Sequence, residues 1–277
     1  MIVFPNAKIN IGLNIVERRP DGYHNLESVF YPIGIYDRLQ VDEDPDGISG
    51  NCSIETAGFN IAGENKDNLV VRAYNLIWQE YKIPAVKVKL NKLIPMGAGL
   101  GGGSSDAAYM LIALNRMFGL GISDEKLQLM AAKLGADCAI FIKNQPVYAT
   151  GIGNVFHYDV EIPSLSGKTL ILVKPDVFVS TKDAYSMIHP QRPAFNLAEC
   201  IRQPIENWKK TIANDFERSV FAKFPLIGEV KNRLYDMGAV YASMSGSGSS
   251  VFGIFNSQVD DFEGNFPGMY SVQIQML

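Results

Sequence analysis

From Pro95 to Asp106 the chain reads Pro-Met-Gly-Ala-Gly-Leu-Gly-Gly-Gly-Ser-Ser-Asp, and five of the seven residues from Gly97 to Gly103 are glycine. Val86, Val88 and Leu90 alternate before it in the manner of a strand, and a helical pattern runs after it to about Phe118. Glycine permits positive φ and lets a ligand approach the backbone without a Cβ in the way. Each also adds entropy cost to folding, so a plain turn has no use for five. A helix start beyond the loop offers unpaired N–H groups and the positive end of its dipole, which suit an anion such as phosphate. Ser104 and Ser105 can add hydroxyl contacts to phosphate or to a metal on it. Asp106 would repel a phosphate placed beside it, so it is expected to turn away or to face a cation.

The loop matches G-x-G-x-x-G at Gly97, Gly99 and Gly102, a weak signal in so glycine-rich a run. A dinucleotide-binding context fails, because several strands precede the loop and the acids about 20 positions on, Asp124 and Glu125, open a helix. A Walker loop fails too, since no Gly-Lys-Ser/Thr follows. A nucleotide or phosphate site of another design is left.

Composition narrows the partners. With 25 Lys+Arg against 29 Asp+Glu the net charge is −4, and no basic run exists to hold a nucleic-acid polymer or an anionic membrane. No apolar run reaches the roughly 18 residues of a membrane span. Met1 to Asn6 lacks the basic-then-apolar order of a signal peptide. Three well-separated cysteines (Cys52, Cys138, Cys200) and three histidines form neither a disulfide framework nor a metal spacing. A cytoplasmic protein with no feature that demands an obligate protein partner is expected.

Elsewhere, Ile9, Ile11, Leu13 and Ile15 share one side of a strand from Ala7 to Val16, which puts Lys8 and Asn10 together on the other. Arg18 to Gly22 is a turn, and Ser28–Tyr36 and Arg38–Asp42 are further strands. A helix opens at Asp67-Asn68-Leu69, and Ser123 caps another that Gly135 ends. Ala139–Ile142 reads as an apolar strand, Thr169–Val173 and Val251–Phe255 as buried ones. Helices are expected around Lys182–Ile188, Ala198–Trp208 and Phe224–Met237. The mixture lacks regular β-α alternation and predicts an α+β fold, with a boundary near Ile162-Pro163.

These motifs together resemble the GHMP kinases. The glycine loop resembles that family's ATP loop. The likeness continues in order through Ala7-Lys8-Ile9-Asn10, Asp21-Gly22-Tyr23-His24, Asp67-Asn68-Leu69, Leu134-Gly135-Ala136-Asp137, Asn214-Asp215-Phe216-Glu217 and Met244 to Gly248. Asp-Gly-Tyr-His with Ala-Lys-x-Asn is similar to the branch that phosphorylates a cytidine-diphosphate sugar alcohol in non-mevalonate isoprenoid synthesis. The resemblance implies an N-terminal ATP-binding domain (1–162) like domain 2 of ribosomal protein S5 and a ferredoxin-like C-terminal domain (163–277). It implies transfer of the ATP γ-phosphate to the 2-hydroxyl of that acceptor.

It also implies site roles. Lys8 and Asp137 are the catalytic pair, Asp137 as base or orienter of the hydroxyl. Asn10, Tyr23, His24, Phe30 and Tyr185 form the acceptor site, the aromatic residues around cytidine. Asn68, Leu69 and Lys92 line the adenine pocket, and Pro95, Met96, Gly97, Ala98, Gly99, Leu100, Gly101, Gly102, Gly103, Ser104 and Ser105 bind ATP. Gly246-Ser247-Gly248 is similar to a third family motif that packs near the loop. No paired-acid metal cage is visible, so Mg²⁺ would arrive with ATP. Tyr185 stands where Phe is common in the family, and Cys138-Ala139 and Asn154 are further departures. A GHMP kinase with another acceptor, or a catalytically silent nucleotide-binding module, are the alternatives.

Overall fold

The computed structural model describes residues 1–61 and 63–276. Its strands are β1 (Ile2–Val3), β2 (Asn6–Arg18), β3 (His24–Tyr36), β4 (Arg38–Glu43), β5 (Cys52–Gly58) and β6 (Val86–Lys92). They continue as β7 (Val147–Thr150), β8 (Val155–His157), β9 (Thr169–Lys174), β10 (Tyr241–Met244), β11 (Val251–Phe255) and β12 (Tyr270–Gln275). The helices are α1 (Leu69–Tyr81), α2 (Gly102–Met117), α3 (Asp124–Leu134), α4 (Ile140–Lys143) and α5 (Thr181–Tyr185). After them come α6 (Leu197–Cys200), α7 (Ile205–Thr211), α8 (Phe216–Lys223) and α9 (Pro225–Asp236).

Two compact units result. The first comprises residues 1–7, 35–96 and 101–145. Its sheet has the order β1-β4-β6-β5, antiparallel except where β5 runs parallel to β6. Along β6 the residues Val86, Val88 and Leu90 turn inward while Lys87 and Lys89 stay exposed, so the two-residue period makes Lys92 the fourth inward side chain. Asn68 caps α1 by accepting a hydrogen bond from the Val70 N–H, and the buried Val70, Ala73, Tyr74 and Ile77 supply its core face. Ser123 caps α3 through the Lys126 N–H, as expected.

The second unit comprises residues 8–34, 97–100 and 146–277 and carries two sheets, β2-β3-β7-β8 and β10-β11-β9-β12. Leu13 and Ile15 of β2 share a core with Ile171 and Val173 of β9, Phe216 and Val220 of α8, and Ile227, Val230 and Leu234 of α9. Compactness thus groups most of β2 and β3 with the C-terminal elements. The predominantly antiparallel strands with interspersed helices are the α+β class.

Several local expectations change. Ala139–Ile142 is mostly the one-turn helix α4 rather than a strand, because four apolar residues carry no period to separate the two, and Asn144 ends it in the left-handed region at φ 49°. The helix expected over Ala198–Trp208 is two, α6 and α7, divided where Pro204 forms the N-cap of α7. Helix α2 begins inside the glycine run, at Gly102, with Gly101 as a left-handed N-cap at φ 69°.

Candidate functional site

In the second unit, Lys8 and Asn10 lie on β2 and are each only 2% exposed, so the side that alternation assigns them is interior as well. Lys8 Nζ donates to Asn10 Oδ1 at 2.6 Å and to the Gly99 carbonyl at 3.1 Å, and it stands 5.2 Å over the Phe30 ring. Asn10 Nδ2 donates to Ser28 Oγ at 2.8 Å, and Ser28 Oγ to the Gly12 carbonyl at 2.7 Å. The Lys8 N–H donates to the Leu100 carbonyl at 3.0 Å, so the first half of the glycine loop is bound to β2 at two points.

The segment after β10 secures the same half-loop. Ser245 Oγ accepts the Asn10 N–H at 3.2 Å and donates to the Gly99 carbonyl at 2.8 Å. The Ser250 N–H donates to the Ala98 carbonyl at 3.2 Å. Gly99, at φ 76°, lies so close that an added Cβ would stand 2.0 Å from the Ser245 carbonyl oxygen. Asn214 holds the turn from outside by donating to the Met244 and Gly246 carbonyls, both at 2.8 Å. The glycine-serine segment expected near the loop is there.

Of the aromatic residues, His24 stacks on Tyr185 with ring centres 4.7 Å apart and planes at 29°, and Tyr185 meets Phe216 edge-on at 4.8 Å. Burial, with Arg18 adding to it, pulls the His24 imidazole below its ordinary value, which favours the neutral ring. Tyr23 is 62% exposed at the turn, its N–H on Asp21 Oδ1 at 3.1 Å, whereas Phe30 is 3% exposed.

In the first unit a cavity of about 170 Å³ opens among Asn68, Leu69, Leu90, Lys92, Met96 and Asp106, with Gly103 also on its wall. Lys92, 1% exposed, bonds to Asp37 Oδ2 and to Asp106 Oδ2, the latter at 2.7 Å. Asp37 Oδ1 also accepts the Leu93 and Ile94 N–H groups at 2.6 and 2.8 Å. Asp106 therefore faces a cation, one of the two dispositions expected of it. Burial pushes its carboxyl up to about 7 and Asp37 adds to this, while Lys92 pulls the other way. Asp106 Oδ1 and Ser105 Oγ are buried with no hydrogen-bond partner.

Asp137 lies half-buried in the turn between α3 and α4. Burial pushes the neighbouring Cys138 thiol up to about 11, with Ser104 pulling it down and Asp137 pushing it further up. Among the described residues no group of three or more His, Cys, Asp or Glu is placed to hold a metal ion. No described helix is long and apolar enough to cross a membrane.

The structure thus gathers Lys8, Asn10, Phe30, Gly99 and Leu100 into one cluster, His24 with Tyr185 into another, and Asn68, Leu69, Lys92, Met96 and Gly103 around one cavity. Sequence reasoning missed Asp37 and Ser28, and it quotes Ser245 within the motif Met244 to Gly248 without giving it a role. Asp37 sits between two strands and looks like a turn acid; only the inward register of Lys92, which demands a buried counter-charge, signals it.

Comparison with known proteins gives two family matches, GHMP kinases N terminal domain over residues 68–145 and GHMP kinases C terminal over residues 196–264. A 4-diphosphocytidyl-2-C-methyl-D-erythritol kinase of Bacteroides fragilis (strain YCH46) is 54% identical over 276 residues, covering 100% of both chains. A crystal structure of 4-(cytidine 5'-diphospho)-2C-methyl-D-erythritol kinase superposes with TM-score 0.77 at 30% identity, covering 93% of this chain and 91% of that one. The Methanococcus jannaschii mevalonate kinase, at TM-score 0.69 and 14% identity over 100% of this chain and 98% of that one, shares the fold.

Proposed function

Because the chain belongs to the GHMP kinase family, and within it to the 4-diphosphocytidyl-2-C-methyl-D-erythritol kinases, we propose that it phosphorylates the 2-hydroxyl of that diphosphocytidyl alcohol from ATP. The observation that carries this reading is full-length likeness to relatives named for that activity in a chain whose Lys8 ammonium is held on the Gly99 carbonyl.

Phosphoryl transfer asks the protein mainly to position the reactants and stabilise charge. The N–H groups at the start of α2, with Ser104 and Ser105, take the ATP phosphates; Pro95 to Gly103 carry the chain past them. The walls formed by Asn68, Leu69 and Lys92 take the adenine. Asp137 receives the proton of the acceptor hydroxyl or orients it, worth around 10²–10⁴-fold. Lys8 compensates the charge that develops on the transferred group, and Asn10 fixes Lys8 by its 2.6 Å bond.

Cytidine stacks among Tyr23, Phe30 and Tyr185, and the neutral His24 ring reads a pyrimidine edge. Since His24 and Tyr185 are stacked on each other here, the base enters by replacing that contact. Mg²⁺ fits as an ion carried by the nucleotide: the buried Ser105 hydroxyl without a partner is a hard oxygen ligand of the kind it takes, with Ser104 beside it. When bound it neutralises phosphate charge. The division into 1–162 and 163–277 is proposed with the kinase reading, since the matched family segments end at 145 and resume at 196. The partners are then two small molecules, and the place of work is the cytoplasm.

The test is ADP release with the diphosphocytidyl alcohol against mevalonate, homoserine and no acceptor. Release is expected with the first alone; release indifferent to acceptor would sink the reading. Asp137→Asn is expected to lower kcat by at least about 100-fold with ATP affinity nearly unchanged. Loss of ATP binding in a folded variant would count against the role.

A further inference from the structure

Phosphoryl transfer needs the Lys8 ammonium in one place, and the Asn10 amide that holds it is not fixed by its own rotamer. The last torsion of an asparagine side chain lies in a broad well, so hydrogen bonds set the amide plane. At one end Asn10 Oδ1 accepts from Lys8 Nζ at 2.6 Å. At the other, Asn10 Nδ2 donates to Ser28 Oγ at 2.8 Å, and Ser28 Oγ donates to the Gly12 carbonyl at 2.7 Å.

The direction of this chain is determined from both ends, because an ammonium only donates and a carbonyl oxygen only accepts. The Ser28 hydrogen is committed to Gly12, so its lone pairs face Asn10. The amide must then turn its NH₂ to Ser28 and its oxygen to Lys8. The Gly12 carbonyl is anchored in turn: the Leu13 N–H of the same peptide plane donates to the Ala213 carbonyl at 2.9 Å. An added Cβ at Gly12 would stand 2.8 Å from both Ile212 Cγ2 and Leu197 Cδ1, so β2 has no slack there. Two residues along β3 from Ser28, and so on the same face, Phe30 sets its ring 5.2 Å from the same ammonium. Ser28 itself is 0% exposed and reaches no reactant.

We propose that Ser28 is a positioning residue for phosphoryl transfer: its hydroxyl sets the orientation of the Asn10 amide and, through it, the place of the Lys8 ammonium. This rests on the reading of Lys8 as the group that compensates charge on the transferred phosphoryl. In Ser28→Ala the amide loses its acceptor and the Gly12 carbonyl its donor, and the amide plane is released. With ATP and the diphosphocytidyl alcohol, kcat is expected to fall about 10–100-fold, the scale of a displacement near 1 Å at a reacting group. KM for ATP is expected to stay within about threefold, because the ammonium acts on charge that develops in the transition state.

The deciding measurement is a double-mutant cycle with Asn10→Ala. If Ser28 acts through the amide, Ser28→Ala in that background lowers kcat by less than about twofold further, whereas a merely structural contribution adds in full. A full additional loss overturns the proposal, and so does a single Ser28→Ala variant with kcat within about threefold of the wild type. Should Ser28→Ala fail to melt cooperatively, the isosteric Asn10→Asp is read in its place. A carboxylate cannot donate to Ser28, so kcat is expected to fall about tenfold or more, and a value within about threefold of the wild type overturns the proposal. Lys8→Met with near-wild-type kcat would remove the reading of Lys8 and this proposal with it. A loss in Lys8→Met together with a failed cycle overturns the role of Ser28 alone.

Discussion

In the first half of the glycine loop the glycines answer to the protein's own backbone. Gly97 and Gly99 take φ of 58° and 76°, and the Gly99 position has no room for a side chain against the Ser245 carbonyl. Gly103, in the second half, lies in the first turn of α2 outside the positive-φ region, and the nearest atom to an added Cβ is Leu69 Cδ1 at 3.9 Å, an ordinary contact. Nothing in its fold surroundings requires a glycine there. The same residue type thus serves close packing of protein on protein at Gly99, and at Gly103 leaves space open beside N–H groups that have no intrahelical acceptor. Excess glycine in a sequence therefore signals close approach without saying whether protein or ligand comes close.

Gly99→Ala is the change expected to do the most damage. It combines a left-handed backbone, which costs roughly 1–2 kcal/mol for a residue with a Cβ, with overpacking against a backbone atom that cannot swing aside. A loss of about 2–5 kcal/mol should lower the melting temperature on the order of 10 °C, seen by calorimetry. Near-wild-type melting would mean that the Ser245 contact yields easily, and the contrast between the halves would disappear.

Gly103→Ala should separate stability from activity. Alanine at a helical position without steric conflict stabilises by up to about 1 kcal/mol. If the glycine exists for the nucleotide, the methyl group stands in the way of its phosphates, and KM for ATP is expected to rise tenfold or more while the melting temperature holds or rises. A variant with unchanged KM would assign this glycine to helix geometry alone.

How much of this was legible beforehand follows from how far each feature reaches along the chain. The inward face of β6 and the caps at Asn68 and Ser123 depend on neighbours within a few residues, and the pattern of the sequence discloses them. So does the shared face of Lys8 and Asn10. The partners of Lys92 do not: Asp37 is 55 positions away, and only tertiary structure brings it to the ammonium. The bond from Ser245 to the Gly99 carbonyl spans 146 positions. Strand β12, Tyr-Ser-Val-Gln-Ile-Gln, is not among the expected strands although its apolar and polar residues alternate with the two-residue period of one; it pairs along β9. Helix α8 is likewise not among the expected helices, although its Phe216 and Val220 are one helical turn apart on the buried face. The family resemblance assigned roles to Lys8 and Asp137, and burial alone could not have done so.

The smallest expected effect sharpens what positive φ means at the loop's first residue. Gly97 stands at φ 58°, yet a Cβ there would meet only the Phe178 ring, at 3.2 and 3.4 Å, and that ring is 73% exposed and able to turn away. Gly97→Ala should therefore cost about 1–2 kcal/mol, nearly all of it conformational. Asparagine enters the left-handed region more readily than alanine, its short amide bonding locally. Gly97→Asn should accordingly melt above Gly97→Ala, by about 1–3 °C in paired scans, despite the larger side chain. The opposite order would place the constraint in the space beside Phe178, making Gly97 a packing glycine of the same kind as Gly99.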